Sequence, residues 1–486
     1  MKKFISFFLL IILAGVLNSQ SVSVNNDGSQ PNGRSILDIK SSDKGVLLPR
    51  MTSAQRNAIQ VVPGDAGLMV FDTDKQSLYI YTGMNWRPLP FTTENEVYPV
   101  NYTAPDSEEG DSFGQAVAIY GNYAVVAAPY DDINANTNQG SVYVFFYTGN
   151  GWVFQQKLTA SDGTAEDVFG ISVSIWNDQL AVGASGADIA GQSNRGAVYM
   201  FKLNGNQWQQ QAKLLHGDPV AGDEFGKAVA IQNNKLLVGA PRKSNGSFNQ
   251  QGAAYLFLYN GSNWTQNNKL LHGELTGGDE FGSSVAVDAN RLVIGAPDKR
   301  ENNISLAGAA FIFYSANGNS GWSLEKKLTN TTSAFEDRFG SSVSIDGEHV
   351  AIGVPGRHLY NSDAAGAVII YRYIQNDWLG TASLDVKEVA TEDYFGSSVA
   401  LKGAQLLVGA PMRDIDGHFN AGGAWLFEGD LPFSSWFFRR RITDVEVERI
   451  AFFGSAVAVC KVTGRYIIGS RYANQGKGRI AIGTLP

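Results

Sequence analysis

The dipeptide Phe-Gly recurs seven times, at Phe113-Gly114, Phe169-Gly170, Phe225-Gly226, Phe281-Gly282, Phe339-Gly340, Phe395-Gly396 and Phe453-Gly454. The spacings are 56, 56, 56, 58, 56 and 58 residues. A period of this length marks one supersecondary unit that buries its apolar surface against copies of itself. In the third copy an apolar run, Ala228-Val229-Ala230-Ile231, follows the dipeptide. A polar pair, Asn233-Asn234, then suits a two-residue hairpin. The second apolar run ends in Gly239-Ala240-Pro241, and Ala127 replaces that glycine in the first copy. A polar loop leads to a third run, Gly252 to Phe257. A fourth segment opens at tryptophan: Trp152, Trp208, Trp264, Trp322, Trp378 and Trp436. Their length and composition read as strands rather than helices. Four strands per repeat predict an all-β, seven-bladed β-propeller over residues 93–486.

The seventh copy stops after its third strand, Arg479-Ile480-Ala481-Ile482, and has no tryptophan segment. Upstream of the first copy lies an unpaired stretch, Val97 to Thr103. Tyr102-Thr103-Ala104-Pro105-Asp106 aligns, 56 residues earlier, with Leu158-Thr159-Ala160-Ser161-Asp162. Residues 96–103 are therefore expected to fill the missing outer position of the last blade and close the ring.

The paired Phe-Gly and Gly-Ala-Pro signatures resemble the FG-GAP repeats of integrin α-subunit head domains and their bacterial secreted relatives. The resemblance covers residues 96–486 and implies a propeller, with function carried by its loops. Many members of that family hold calcium in an Asp-x-Asp-x-Asp-Gly loop between the first two strands. Here that place is taken by turns such as Asn177-Asp178 and Gly347-Glu348, so the family's calcium sites do not transfer.

Residues 20–92 do not follow the repeat. Ile36 to Ile39 and Gly45 to Pro49 read as short strands. Ser53 reads as the cap of a helix through Ile59. Leu68 to Phe71 and Leu78 to Tyr81 read as a hairpin turning at Asp72–Lys75, and Trp86 closes the unit. This order resembles a module of bacterial surface and phage tail-fibre proteins, which implies attachment or assembly. The thin core of so small a unit favours a homo-oligomer.

Lys2 and Lys3 precede an apolar stretch, Phe4 to Leu17, followed by Asn18-Ser19-Gln20-Ser21. This reads as a secretory signal peptide, residues 1–19, too short to span a bilayer. A secreted or cell-surface protein without membrane insertion after cleavage is expected. The formal net charge of −8 argues against nucleic acid, whose binding needs clustered cationic side chains. A single cysteine, Cys460, excludes an intramolecular disulfide and reads as a small core residue.

Catalytic signatures for serine, zinc or phosphate chemistry are missing from the sequence, so no catalytic residue, metal ligand or cofactor is assigned. His216 and His272 lie in equivalent Leu-Leu-His-Gly segments and read as duplicated structure. The nine residues before each repeated Phe hold 21 of the 46 acids and three basic residues, Arg338, Lys387 and Arg449. Six copies keep an Asp two residues before the Phe: Asp111, Asp167, Asp223, Asp279, Asp337 and Asp393. Fixing the turn by accepting backbone N–H groups is the favoured reading, over an electronegative face for cations. The loops after the second strand vary most, and loops on a rigid scaffold are where binding resides. The candidate ligand residues are Tyr130, Asp131, Arg242, Phe248, Arg300, His358, Tyr360, His418 and Phe419. Asp414-Ile415-Asp416-Gly417 is a fragment of a calcium loop.

These features point to a secreted, non-catalytic binding or adhesion protein with a protein or glycan ligand. A structural component of an extracellular fibre is the alternative. A polysaccharide-acting enzyme with paired rim carboxylates is a third reading that no spacing selects.

Overall fold

The computed structural model describes residues 22–24, 30, 37–41, 46–74, 77–81, 86–88, 99–359, 363–385, 390–415, 417–430 and 435–485. The signal segment 1–19, the calcium-fragment residue Asp416 and the loop candidate Tyr360 lie outside them. The chain divides into two compact units, Met1–Glu96 and Val97–Pro486.

In the first unit Val22–Val24 pairs in parallel with Leu37–Ile39. A four-stranded sheet is built from Arg50–Met51, Met69–Asp72, Ser77–Tyr81 and Trp86–Pro88. The hairpin over 69–81 forms as expected, and Trp86 meets Tyr81 at a tilt, 5.6 Å between ring centres. Two expectations need correction. Val46 to Pro49 form no strand; the ladder begins at Arg50, one residue after a proline that has no N–H to give it. The helix is Ser53–Asn57 and its cap is Thr52, not Ser53. Thr52 forms a capping box with Gln55, whereas the Ser53 hydroxyl donates to the buried Asp72. Arg56 pairs with Asp72 at 2.6 Å and lies over the Tyr79 ring, a buried ionic centre in an otherwise thin core.

The second unit is all-β and consists, among the described residues, of seven four-stranded antiparallel sheets, an arrangement that fits a propeller. The third sheet is typical: Ala228–Gln232, Lys235–Ala240, Ala253–Tyr259 and Trp264–Leu270, joined in meander order. Its second strand is buried at every position, because neighbouring sheets cover both faces. The seventh sheet takes Phe453–Val459, Arg465–Ser470 and Arg479–Thr484 from the C-terminus and Val100–Tyr102 from upstream of the first repeat. In that pairing Ile480 faces Tyr102, Ala481 faces Asn101 and Ile482 faces Val100. The seventh sheet also shares cores on both sides. Tyr466 and Ile468 pack with Leu407 and Leu426 of the sixth sheet, and Ile467 and Ile480 pack with Phe113 and Val117 of the first. Cys460 is fully buried in the latter core.

The repeated dipeptide has a specific job between sheets. Phe113, Phe169, Phe225, Phe281, Phe339, Phe395 and Phe453 are all buried. Phe225 meets Tyr255 of its own third strand edge-on at 5.7 Å, and its backbone bridges Gly196 of the preceding sheet. The glycine that follows then touches the glycine of the preceding sheet's second strand. A Cβ on Gly239 would lie 1.9 Å from the Gly282 carbonyl oxygen. The same contact joins Gly183 to Gly226, Gly295 to Gly340, Gly353 to Gly396, Gly409 to Gly454 and Gly469 to Gly114. Gly170 departs from the pattern, because it faces Ala127, and a Cβ added to it would lie 3.0 Å from the Ala127 methyl. Phe-Gly and Gly-Ala-Pro are thus two halves of one backbone contact between neighbouring copies.

Candidate functional site

The loops after the second strands and the acidic segments before each Phe-Gly meet on one rim. The backbone N–H groups of Glu166, Val168 and Phe169 donate to Thr137, Asn138 and Gln139, and Glu224, Glu280 and Ile450 make equivalent bonds. Among the described residues five of these loops are also closed on themselves. Backbone bridges join Ile133 to Asn136, Ile189 to Gln192, Asn245 to Phe248, Glu301 to Ile304 and Ile415 to His418. Carboxylates brace three of these loops: Asp132, Asp188 and Asp414 accept the N–H groups of Asn138, Asn194 and Asn420. Asp414 is therefore a loop brace, and the calcium-loop fragment is not needed to explain it. The loops share a backbone and differ in side chains.

The candidate residues divide by exposure. Tyr130, Arg242, Phe248, Arg300, His358, His418 and Phe419 are exposed. Phe419 at 55% and Phe248 at 44% offer ring faces to solvent. Asp131 is buried; it accepts from Ser141 and Tyr143 and pairs with Lys157 at 2.8 Å. Arg242 pairs with Glu224 at 3.1 Å, and His358 lies 2.9 Å from Asp363.

His418 is drawn into a cleft of about 700 Å³ with Glu109, Glu448, Arg449, Ile450 and Tyr472. The cleft spans the loop of the sixth sheet and the segments flanking the seventh. Ile450 holds φ at +61°, a left-handed conformation that is strained for a β-branched side chain. Tyr472 meets Phe452 edge-on, with Arg471 over the Phe452 ring at 5.2 Å. Ile450 and Tyr472 escaped sequence reasoning because the seventh copy departs from the repeat there. The departure itself was the signal.

A second, polar cavity of about 550 Å³ lies at the first sheet, between Tyr130, Asp131 and Asp132 of its loop and Asp106 to Asp111 of its leading segment. Lys157 is its one basic lining residue. Burial, together with Asp131 opposite, pushes the Asp111 carboxyl up to about 6. Lys157 is raised; burial opposes this, but Asp106 and Asp131 outweigh it.

The six Asp residues two before each Phe serve the scaffold. Each is buried and accepts the N–H of the residue three before it, at 2.5 to 2.8 Å. Three also hold a cation that the sequence reading missed. Lys243, Lys299 and Arg413 reach Asp223, Asp279 and Asp393 at 3.3, 3.5 and 2.8 Å. All three stand two residues after the proline of Gly-Ala-Pro. His216 is buried between Asp218 and Asp223 and stacks on Tyr255, whereas His272 is half-buried against Phe311, so the two equivalent histidines differ in setting.

Among the described residues no group of three or more His, Cys, Asp or Glu is arranged to hold a metal ion, and no helix is long and apolar enough to cross a membrane. A phage tail like trimerisation region matches residues 24–98. No curated protein matches the chain. The FG-GAP repeat matches residues 101–145, 152–201, 208–257, 264–313, 322–371 and 378–427, each later match running from a tryptophan segment to the next third strand. With more than half of its length in these repeats and the motif's glycines forming the contacts between sheets, the chain belongs to the FG-GAP repeat family.

Proposed function

We propose that this chain is a secreted, non-catalytic binding or adhesion protein that presents the rim loops of a seven-bladed propeller to a protein or glycan. The observation that carries the reading is the rim itself: loops of common backbone, five of them closed by a bridge among the described residues, bear unlike exposed side chains. A fixed frame with varied side chains recognises ligands without the entropic cost of ordering loops. The ring is supported by the strand Val100–Tyr102 in the last sheet and by the Gly469–Gly114 contact, which repeats between last and first copies what joins other neighbours. Secretion rests on the basic and apolar pattern of residues 2–17.

A second reading, a component of an extracellular fibre or assembly, is favoured by the trimerisation-region match at 24–98. The two are compatible, since trimerisation multiplies weak rim contacts. The test is a screen of glycans and surface proteins against the mature chain, with its solution mass measured in parallel. Saturable binding lost on substitution of Phe419 or His418 supports the reading. A trimer that binds nothing on either screen leaves the assembly role, and turnover of a polysaccharide would replace both.

A further inference from the structure

The six buried Asp residues before Phe-Gly occupy one repeated niche, and what completes the niche varies among the sheets. In the third, fourth and sixth sheets a basic side chain two residues after the proline lies against the Asp. Lys243 and Lys299 are themselves buried, so an ammonium group is part of the packed structure there. In the second sheet Ala187 stands at this position, and the Thr164 hydroxyl donates to the second oxygen of Asp167 instead. In the first sheet the position is Asp131, an acid where the third, fourth and sixth sheets have a cation.

This replacement leaves Asp111 incomplete. The residue is 5% exposed, and one of its oxygens accepts the Glu108 N–H at 2.6 Å. Among the described residues no side chain donates to it and no cation lies within ion-pair distance. Lys157 does not serve it, because its ammonium is held by Asp106 and Asp131, both at 2.8 Å. A buried carboxylate without a side-chain partner is costly unless something neutralises it. The space beside it is the polar cavity of about 550 Å³, whose lining carries six carboxylates, Asp106, Glu108, Glu109, Asp111, Asp131 and Asp132, against one ammonium.

We propose that this cavity binds a primary ammonium group, the side chain of a lysine on a partner protein, in the place beside Asp111 that Lys243 and Lys299 fill beside Asp223 and Asp279. Two observations separate an ammonium from a divalent ion. The sister niches already hold a lysine Nζ 3.3 and 3.5 Å from the Asp, so an ammonium in ion-pair range of this carboxylate has precedents within the chain. Among the described residues no three acidic side chains are arranged to hold a metal ion, those of this lining included. Burial, with Asp131 opposite, raises the Asp111 carboxyl. Tyr130 and Asp132, at the cavity's exposed side, would meet the lysine's backbone flank.

The inference deepens the binding reading and rests on it. The test titrates N-acetyl-lysine methylamide into the full mature chain at pH 7.5, with the norleucine analogue, the arginine analogue and calcium chloride as comparators. Saturable lysine binding, at least tenfold tighter than norleucine, is expected. Asp131→Lys restores the sister arrangement in cis and should abolish binding while leaving the melting temperature equal or higher. Asp111→Asn, nearly isosteric, should weaken binding at least tenfold and covers the case in which Asp131→Lys does not fold. No lysine binding by the unmodified chain, binding unchanged in both variants, or calcium displacing lysine at equal concentration would each overturn the proposal. A chain that binds a partner in the glycan and protein screen but ignores lysine loses this site and keeps its binding function.

Discussion

Gly239→Ala tests the account of the motif most directly. The added methyl carbon would stand 1.9 Å from the carbonyl oxygen of Gly282, in the next sheet. Comfortable carbon-to-oxygen contacts begin at about 3.3 Å, so the backbones must part by roughly an ångström or more. Neither partner is a side chain that can swing aside, and both strands lie in cores packed to crystal-like density. Overpacking of this kind costs about 1–3 kcal/mol, and backbone on both sides puts this case near 3 kcal/mol. The first sheet supplies the control, since Ala127 already carries a methyl at the matching position. Ala127→Gly removes a fully buried methyl and frees the backbone, so it should cost about 1–2 kcal/mol without any clash. Urea unfolding of both variants, followed by tryptophan fluorescence, gives the two numbers. A Gly239→Ala protein within about 0.5 kcal/mol of the parent would show that the sheets are not held apart by this contact, against the inference from overpacking.

Further outcomes follow from the same geometry. Phe225→Ala and Phe281→Ala, with alike surroundings, should each lose about 3–5 kcal/mol, and a loss under about 1 kcal/mol at both would mean the rings are not core. A fragment starting at residue 93 should melt above one starting at 105, because the shorter lacks Val100–Tyr102; equal melting temperatures would refute the closing role of that strand. The Asp111 carboxyl is raised in the folded state to about 6, above its ordinary 3.8, so folding takes up a proton there. Its contribution to stability is full below about pH 3.8 and is lost as pH rises through 6; Asp111→Asn should flatten the melting temperature between pH 4 and 7 relative to the parent. Chelator should leave the melt unchanged, because the hairpin turns lack the spaced carboxylates calcium needs; stabilisation by several kcal/mol at micromolar calcium would contradict this.

Strands and their order were legible because the repeat prints them seven times, so noise in one copy is averaged by the others. The segment around Tyr102 was readable for the same reason, through its alignment with Leu158. The purpose of the motif was not readable. Gly239 and Gly282 meet across a sheet interface, and no local pattern states which residue 43 positions away will be opposite. Burial of Asp131 was hidden likewise, since an acid in a polar loop looks solvated until Ser141, Tyr143 and Lys157 converge on it. In the first unit the choice between Thr52 and Ser53 as helix cap turned on Asp72, 19 residues after the serine, claiming its hydroxyl. There the chain runs once, without copies to compare, and Val46 to Pro49 were misread as a strand for the same want of a second example.

The strand Val100–Tyr102 also has a mechanical meaning. The chain passes from the N-terminal unit into the repeats through this strand, so a pull exerted between that unit and a ligand held at the rim runs along it. It is joined to Arg479–Thr484 by three residue pairs, supplemented by the Asn101 amide donating to Asp444 at 2.8 Å. Strands loaded along their length resist by breaking all their ladder bonds together, but three pairs make a short ladder. Under tension this seam is the fuse of the molecule. It is expected to yield before the six sheets whose four strands follow one another in the chain, and its release would lengthen the tether while those sheets stay folded.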